Sequence, residues 1–231
     1  TRQVLLSLFL SVWVGALFLA NYNPVTAFLN TTQTYIVGSV ADSWNAAILV
    51  FGFVMFGMCA VVARSGGAKA IANWFMQRSK HSGSGQLVAW LMGLIIFIDD
   101  YVNTMVVGNT VRPLTDKLKI SREKLSYIVD STAAPVSSMA LISSWIGYEM
   151  GLIRDAFEKL AIDWGIYFTF LQTIPFRFYS IFALFLVLFI ALQRRDYGPM
   201  YAAEVRARTT GKVLRDGATP LVSTEMTEME P

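Results

Sequence analysis

The sequence predicts an all-α integral membrane protein: transmembrane helices, one re-entrant hairpin and one helix broken at a proline. Three observations carry this. Runs such as Val4–Ala20, Ala46–Ala63 and Phe176–Leu192 are apolar and nearly free of charge. Charged residues make up only 15% of the chain against 55% hydrophobic ones, and the mean hydropathy is +0.49; soluble domains carry about 25% charged residues. The basic residues gather in connections beside the apolar runs, as the positive-inside rule requires of a chain threaded through a bilayer.

Crossing the hydrocarbon core takes roughly 20 mostly apolar residues. The stretches 4–20, 46–63 and 176–192 qualify, the last with Arg177 placed to snorkel at its end. The connection Asn21–Asn45 has no Lys or Arg and is expected outside. The next holds Arg64, Lys69, Arg78 and Lys80 and is expected in the cytoplasm, with Ala68–Phe75 as a short amphipathic helix on the membrane surface. Arg112–Lys124, carrying Arg112, Lys117, Lys119, Arg122 and Lys124, is expected there too. Two successive cytoplasmic connections require that 87–111 enter the membrane and return.

Length supports that parity. Leu87–Ile98 makes only about 18 Å of helix at 1.5 Å per residue, too short to cross about 30 Å. Asp99-Asp100 falls at the turn, Thr104–Val111 with Gly108-Asn109 returns, and Pro113 closes the hairpin. Ser121 and Glu123 supply a cap and a first-turn acid for the next helix. The stretch 125–152 then crosses outward, broken near Pro135, and 176–192 comes back. The tail, with Arg194, Arg195, Arg206, Arg208, Lys212 and Arg215, is cytoplasmic on this path. Residues 1–195 are thus expected to be membrane-embedded and 196–231 to be a cytoplasmic connecting segment. The chain opens at Thr1 without an initiating Met, and Ala20-Asn21-Tyr22 is a poor signal-peptide cleavage site, so a cut from a longer protein is expected.

Composition also excludes chemistry. The single cysteine, Cys59, rules out an internal disulfide or a cysteine-built metal site, and it reads as a packing or lipid-facing residue. The lone His81 sits in a polar loop stretch, which argues against a histidine-based catalytic triad. Basic residues are not interleaved with stacking aromatics, so no nucleic-acid partner is expected; the partner implied is the lipid bilayer.

Two constellations carry the functional reading. The first is Asp99, Asp100, Asn103 and Thr104. A charge at membrane depth costs at least about 2.5 kcal/mol and marks function by default. Adjacent carboxylates with amide and hydroxyl oxygens are hard ligands for a small cation, and burial with like-charge proximity raises carboxyl pKa values, so such a pair can hold a proton or a metal cation. The bland alternative is that Asp99 and Asp100 cap a helix at the water interface. The second constellation is Asp130, Ser131, Thr132 and Pro135. Proline removes a helical hydrogen bond and frees a carbonyl near position 131, where the hydroxyls and Asp130 stand. Its bland alternative is an ordinary proline kink compensated by Ser and Thr. Ser143 and Ser144 read as interhelical glue, and Glu149 is a marginal candidate near the outer end.

The stretches Phe97-Ile-Asp-Asp-Tyr-Val-Asn-Thr-Met-Val-Val-Gly-Asn-Thr-Val-Arg-Pro113 and Ile120-Ser-Arg-Glu-Lys-Leu-Ser-Tyr-Ile-Val-Asp-Ser-Thr-Ala-Ala-Pro135 resemble the NhaC-type sodium/proton antiporter family. The opening from Arg2, Gly198-Pro-Met and Arg206-Ala-Arg-Thr-Thr-Gly211 are similar to the same family. The resemblance implies an ion-transporter architecture of two inverted repeats, of which this chain is about the first half, the C-terminal half being missing. It implies a multi-pass plasma-membrane protein in which sodium and protons compete, with sodium held by Asp99, Asp100 and Asp130, helped by Asn103, Thr104, Ser131, Thr132 and carbonyls freed by Pro135. No cofactor is implied beyond the transported sodium ion. Homodimers are common in this superfamily.

Other readings use the same residues. A sodium- or proton-coupled organic-anion exchanger of malate or lactate type would keep the scaffold and meet a carboxylate substrate with helix N-termini and Ser or Asn side chains. An intramembrane aspartyl protease would pair Asp99 or Asp100 with Asp130, but its Gly-x-Gly-Asp motif is absent. A purely structural membrane subunit leaves the carboxylates at membrane depth without a reason.

Overall fold

A computed structural model describes residues 3–76 and 79–218. Arg2, Arg78 and the end of the tail lie outside the described residues, as do the side chains of Cys59, Arg64 and Lys69. Every regular element among the described residues is helical. The chain divides into two compact units, Thr1–Phe53 and Val54–Pro231.

In the first unit, α1 (Val4–Leu19) packs against α2 (Pro24–Leu29), with Ala16 and Ala27 buried and Phe9 meeting Phe28 edge-on at 5.9 Å. Asn23 caps α2 by accepting from the backbone N–H of Val25 and Thr26, and Pro24 occupies the first turn, where its missing N–H costs nothing. A π-helical stretch, Asn30–Val37, leads into α3 (Gly38–Ala41). Extended Asp42 then bends the path by 68° into α4 (Ser43–Arg64). The connection 21–45 is therefore mostly helix, where the sequence suggested only a link. Its Thr and Asn residues hide the helix from hydropathy, yet Thr31 and Thr32 bond back to the carbonyls of Ala27 and Phe28.

The second unit carries the site. Its elements are α5 (Gly67–Met76), α6 (Ser82–Ile95), α7 (Asp100–Lys117), α8 (Arg122–Met139), α9 (Ser144–Leu160), α10 (Ile166–Thr173), α11 (Phe178–Gln193) and α12 (Gly198–Thr210). Helix α8 runs through the middle, against α6, α7 and α11, around a core that includes Met92, Val107, Val111, Ile128 and Val187. Close approach depends on small residues. A Cβ on Gly93 would stand 2.4 Å from Thr132 Oγ1, and one on Gly85 would stand 2.6 Å from Leu118 Cδ1. Polar groups finish the joins: Ser138 and Ser180 lie 3.1 Å apart, and Trp90 Nε1 donates to the Leu184 carbonyl at 3.1 Å.

The outer surface is the inverse of a soluble protein's. On α11, Tyr179 is 80% and Phe182 66% exposed, whereas Ser180 and Ala191 are buried. A helix apolar on all sides belongs in a core or a bilayer, and these aromatics point largely outward, Phe182 stacking on Phe178 of its own helix. By length and composition, one described stretch (Phe178–Thr210) is long and apolar enough to cross a membrane, or up to three if each bent helix pair counts as one span. Within Phe178–Thr210 the helix is interrupted at Arg194, which adopts φ 54°. The apolar part of that stretch is α11.

Several local expectations need correction. The arms of the hairpin are longer than 87–111: α6 begins at Ser82, and α7 continues through Pro113 to Lys117. Pro113 does not close the hairpin, and Leu114 and Thr115 beyond it are buried parts of the same helix. Helix α8 likewise runs through Pro135 to Met139, with the break at 140–143 and a 49° bend into α9. A proline costs one hydrogen bond and some strain, and burial of α8 against its neighbours holds the helix together past it. Arg177 does not snorkel. It donates to the Ser138 carbonyl at 2.8 Å, forms a two-point pair with Glu149 and lies over the Phe170 ring. Glu149 is thereby occupied as an ion-pair partner.

Candidate functional site

The turn between α6 and α7 is made by Asp99. Its backbone is extended, and its Oδ1 accepts from the N–H groups of Tyr101 (2.9 Å) and Val102 (3.1 Å), which caps α7. Asp99 is nonetheless only 3% exposed. Its other oxygen receives the Ser144 hydroxyl at 2.6 Å, and Ser144 N–H donates to the Ile98 carbonyl at 3.0 Å. Next to it, Asp100 accepts from the indole of Trp145 at 3.1 Å. The hairpin turn is thus joined to the start of α9, at the break in the neighbouring helix. Capping and burial coexist here, so the two readings of Asp99 are not exclusive.

Other groups converge on this junction. Asn103, one helical turn beyond Asp99, donates its amide to the carbonyls of Gly93 (2.7 Å) and Ile96 (2.5 Å), holding the end of α6. Asn103 Oδ1 is buried without a hydrogen-bond partner, and so is Ser143 Oγ beside Ser144. Unpaired buried acceptors are rare, because each costs about 1–3 kcal/mol. The break itself is supported from outside, since Tyr167 donates to the Leu141 carbonyl at 3.0 Å and Arg177 to that of Ser138. These bonds take up carbonyls that the end of α8 leaves free.

Asp130 stands elsewhere. It faces an open cleft of about 600 Å³ between α7 and α8. On α7, Thr104, Gly108 and Arg112 line it at helical spacing; on the antiparallel α8, Asp130, Ser126 and Arg122 do the same. Thr104 and Asp130 mark one end, and Arg112 and Arg122 the other, about 12 Å away at 1.5 Å per residue. Among the described residues no three of His, Cys, Asp and Glu come together as a metal site, so Asp130 does not join Asp99 and Asp100 in this arrangement. Ser131 is half-buried, Thr132 spends its hydroxyl on the Ile128 carbonyl at 2.8 Å, and Pro135 is buried.

Sequence reasoning passed over Ser144 and Trp145 as parts of the site. The signal present was the run Ala140-Leu-Ile-Ser-Ser144, two serines in an apolar segment, and it was outweighed by the stronger proline signal at 135.

Residues 136–230 match the model of the Na+/H+ antiporter family, a family of transporters rather than enzymes. The matched stretch begins at Val136, so it includes the helix break and excludes the hairpin. The chain is also similar to an uncharacterized protein of Haemophilus influenzae (strain Rd), 33% identical over 208 residues, which cover 88% of this chain and 40% of that protein. The chain spans about 40% of the length of this curated relative. No solved structure matches. The apolar helices and the family match together support a membrane location.

Proposed function

We propose that this chain is one half of a plasma-membrane sodium/proton antiporter of the NhaC type, in which sodium and protons compete at the junction of the hairpin turn with the helix break. The observation that carries this is Asp99: a carboxylate 3% exposed, without an ion-pair partner among the described residues, met only by two N–H groups and a hydroxyl. A small cation supplies the compensating charge, and a proton does so equally. Asp100, the unpaired Asn103 Oδ1 and Ser143 Oγ add hard oxygen donors beside it.

In this reading α6 and α7 form a re-entrant hairpin, the basic end and the tail face the cytoplasm, and the α7–α8 cleft is the aqueous approach. Thr104 and Asp130 stand at the end away from Arg112 and Arg122, where Asp130 takes part in ion or proton transfer. Ser131, Thr132 and Pro135 shape the wall. The missing part of the protein supplies the opposing repeat, and the greater length of the Haemophilus relative leaves room for one. Broken helices whose ends point at a shared midplane site are the recurring build of such carriers.

The test is sodium-driven proton flux in everted vesicles carrying the full-length parent, with and without Asp99→Asn. Flux that requires sodium and vanishes in the variant supports the proposal; undiminished flux in both Asp99→Asn and Asp100→Asn overturns it. Arg112, a cation lining the cleft, favours a second reading, organic-anion exchange, which flux dependent on added malate or lactate would support.

A further inference from the structure

Leu141 and Ile142, the two large apolar residues of the break between α8 and α9, are 60% and 64% exposed. Packing of its own side chains therefore does not hold this segment, and its shape depends on hydrogen bonds from neighbouring elements. Arg177, at the start of α11, supplies bonds that reach both sides of the break. Its Nη1 donates to the Ser138 carbonyl in the last turn of α8 at 2.8 Å and to Glu149 Oε1 on α9 at 2.9 Å, and its Nη2 pairs with Glu149 Oε2. One guanidinium thus ties the helix before the break to the helix after it. Ser144 and Trp145, which meet Asp99 and Asp100, lie between these two anchors. The guanidinium is itself fixed: Nη2 also donates to Thr173 Oγ1 at 3.1 Å, and the cation lies 5.0 Å from the centre of the buried Phe170 ring. On the same turn of α11, Ser180 Oγ stands 3.1 Å from Ser138 Oγ.

We infer that Arg177, with Glu149, is the positioning pair that sets the 49° bend between α8 and α9 and so delivers Ser144 to Asp99. Arg177 has no contact with the carboxylate and acts through the break. A cation at a helix C-terminus satisfies an orphan carbonyl and complements the helix dipole. The planar fork of arginine serves a carbonyl and a carboxylate at once, which the point charge of a lysine does not. Without the guanidinium, the end of α8 and the body of α9 lose their shared anchor. The backbone bond from Ser144 to the Ile98 carbonyl and the hydroxyl bond to Asp99 then loosen together. The effect on sodium rests on the proposed role of Asp99, whereas the effect on the backbone at Ser144 does not.

The experiment uses the full-length parent and two variants, Arg177→Met and Arg177→Met with Glu149→Leu. The single variant leaves Glu149 unpaired and can fail to fold. The double variant removes both charges and is expected to melt near the parent, because a buried pair replaced by apolar side chains is close to neutral. Amide hydrogen exchange in detergent reads the break directly, whether or not the protein transports sodium. In the double variant, exchange over residues 140–147 is expected to quicken about tenfold or more, the range for losing a hydrogen bond to a charged group. Exchange over residues 122–135, earlier in α8, is expected to match the parent. In everted vesicles the sodium concentration for half-maximal flux is expected to rise by about tenfold, although the fold is restored. Parent-like exchange over 140–147 overturns the inference, and so does exchange that quickens equally over 122–135, since the pair then only holds the fold together. Faster exchange at the break with unchanged half-maximal sodium also overturns it. A parent without sodium-driven flux defeats the transport reading alone, and exchange at the break still decides whether Arg177 positions Ser144.

Discussion

Ser144 gives its hydroxyl to Asp99 across 2.6 Å, and this bond joins the turn of one helical hairpin to the broken end of the helix beside it. Asp99 uses one oxygen to start α7 and the other to receive the start of α9. Any change of charge on this carboxylate is felt by both elements. That coupling is what an ion carrier needs if occupancy is to change the packing of its helices.

Asp99→Asn separates the cap from the charge. Asparagine caps as well as aspartate, so the fold should hold to within about 1 kcal/mol. Sodium-driven proton flux, by contrast, should be lost. Melting in detergent and flux in vesicles, measured on the same preparation, check the two halves; a folded variant with normal flux counts against Asp99 as the ion ligand.

Ser144→Ala removes a hydrogen bond to a charged group, an interaction of about 1.5–3 kcal/mol. The sodium concentration for half-maximal flux should shift by roughly tenfold or more. An unchanged value would mean that the serine is interhelical glue only.

The Lys124–Asp196 pair is buried on both sides, with side chains 1% and 3% exposed. Removing one partner leaves an uncompensated buried charge, so Lys124→Met should cost about 3–5 kcal/mol, read as a large fall in melting temperature. Lys124→Met with Asp196→Leu should recover most of that loss, because a buried ion pair replaced by apolar side chains is close to neutral.

Gly93→Ala gains helix propensity but places a Cβ 2.4 Å from Thr132 Oγ1. Overpacking of this kind costs about 1–3 kcal/mol, and pairing it with Thr132→Ala should return most of the stability. A stabilised single variant would show that α6 and α8 can part without penalty.

Glu123 yields a pH dependence. Burial pushes its carboxyl up, but hydrogen bonding and charge from Arg206, with its own backbone N–H and the charge of Arg215, hold it below its ordinary 4.5. A depressed folded-state value contributes stability that is fully present above 4.5 and is lost as pH falls through the folded value. Hydrogen exchange across 198–210 should therefore stay slow down to that range and quicken below it. Glu123→Gln should flatten the change. The pair is partly exposed, so screening keeps the effect small.

Local signals in the sequence located much of this. Ser121 as a cap with Glu123 in the first turn, a short helix over 68–75 (67–76 in the structure), the turn at Asp99 and an apolar helix ending near 192 (193 in the structure) all follow from periodicity, capping chemistry and charge, which act over a few residues. The two prolines misled because their cost is also local, whereas the packing that outweighs it is not. Pro113 and Pro135 both lie inside continuous helices held by neighbours distant in sequence.

By itself, then, the sequence determined that the chain is helical and apolar outward, and that acidic residues sit amid apolar runs, since each of these is written in residue type and spacing. The tertiary structure alone decided where α8 breaks, that Ser144 and Trp145 meet Asp99 and Asp100, that Asp130 stands in a separate cleft, and that the tail docks on Ser121–Lys124. Each of those depends on hydrogen bonds and ion pairs between residues tens of positions apart. Their partners are chosen by which helix faces come together, and no local pattern encodes that choice.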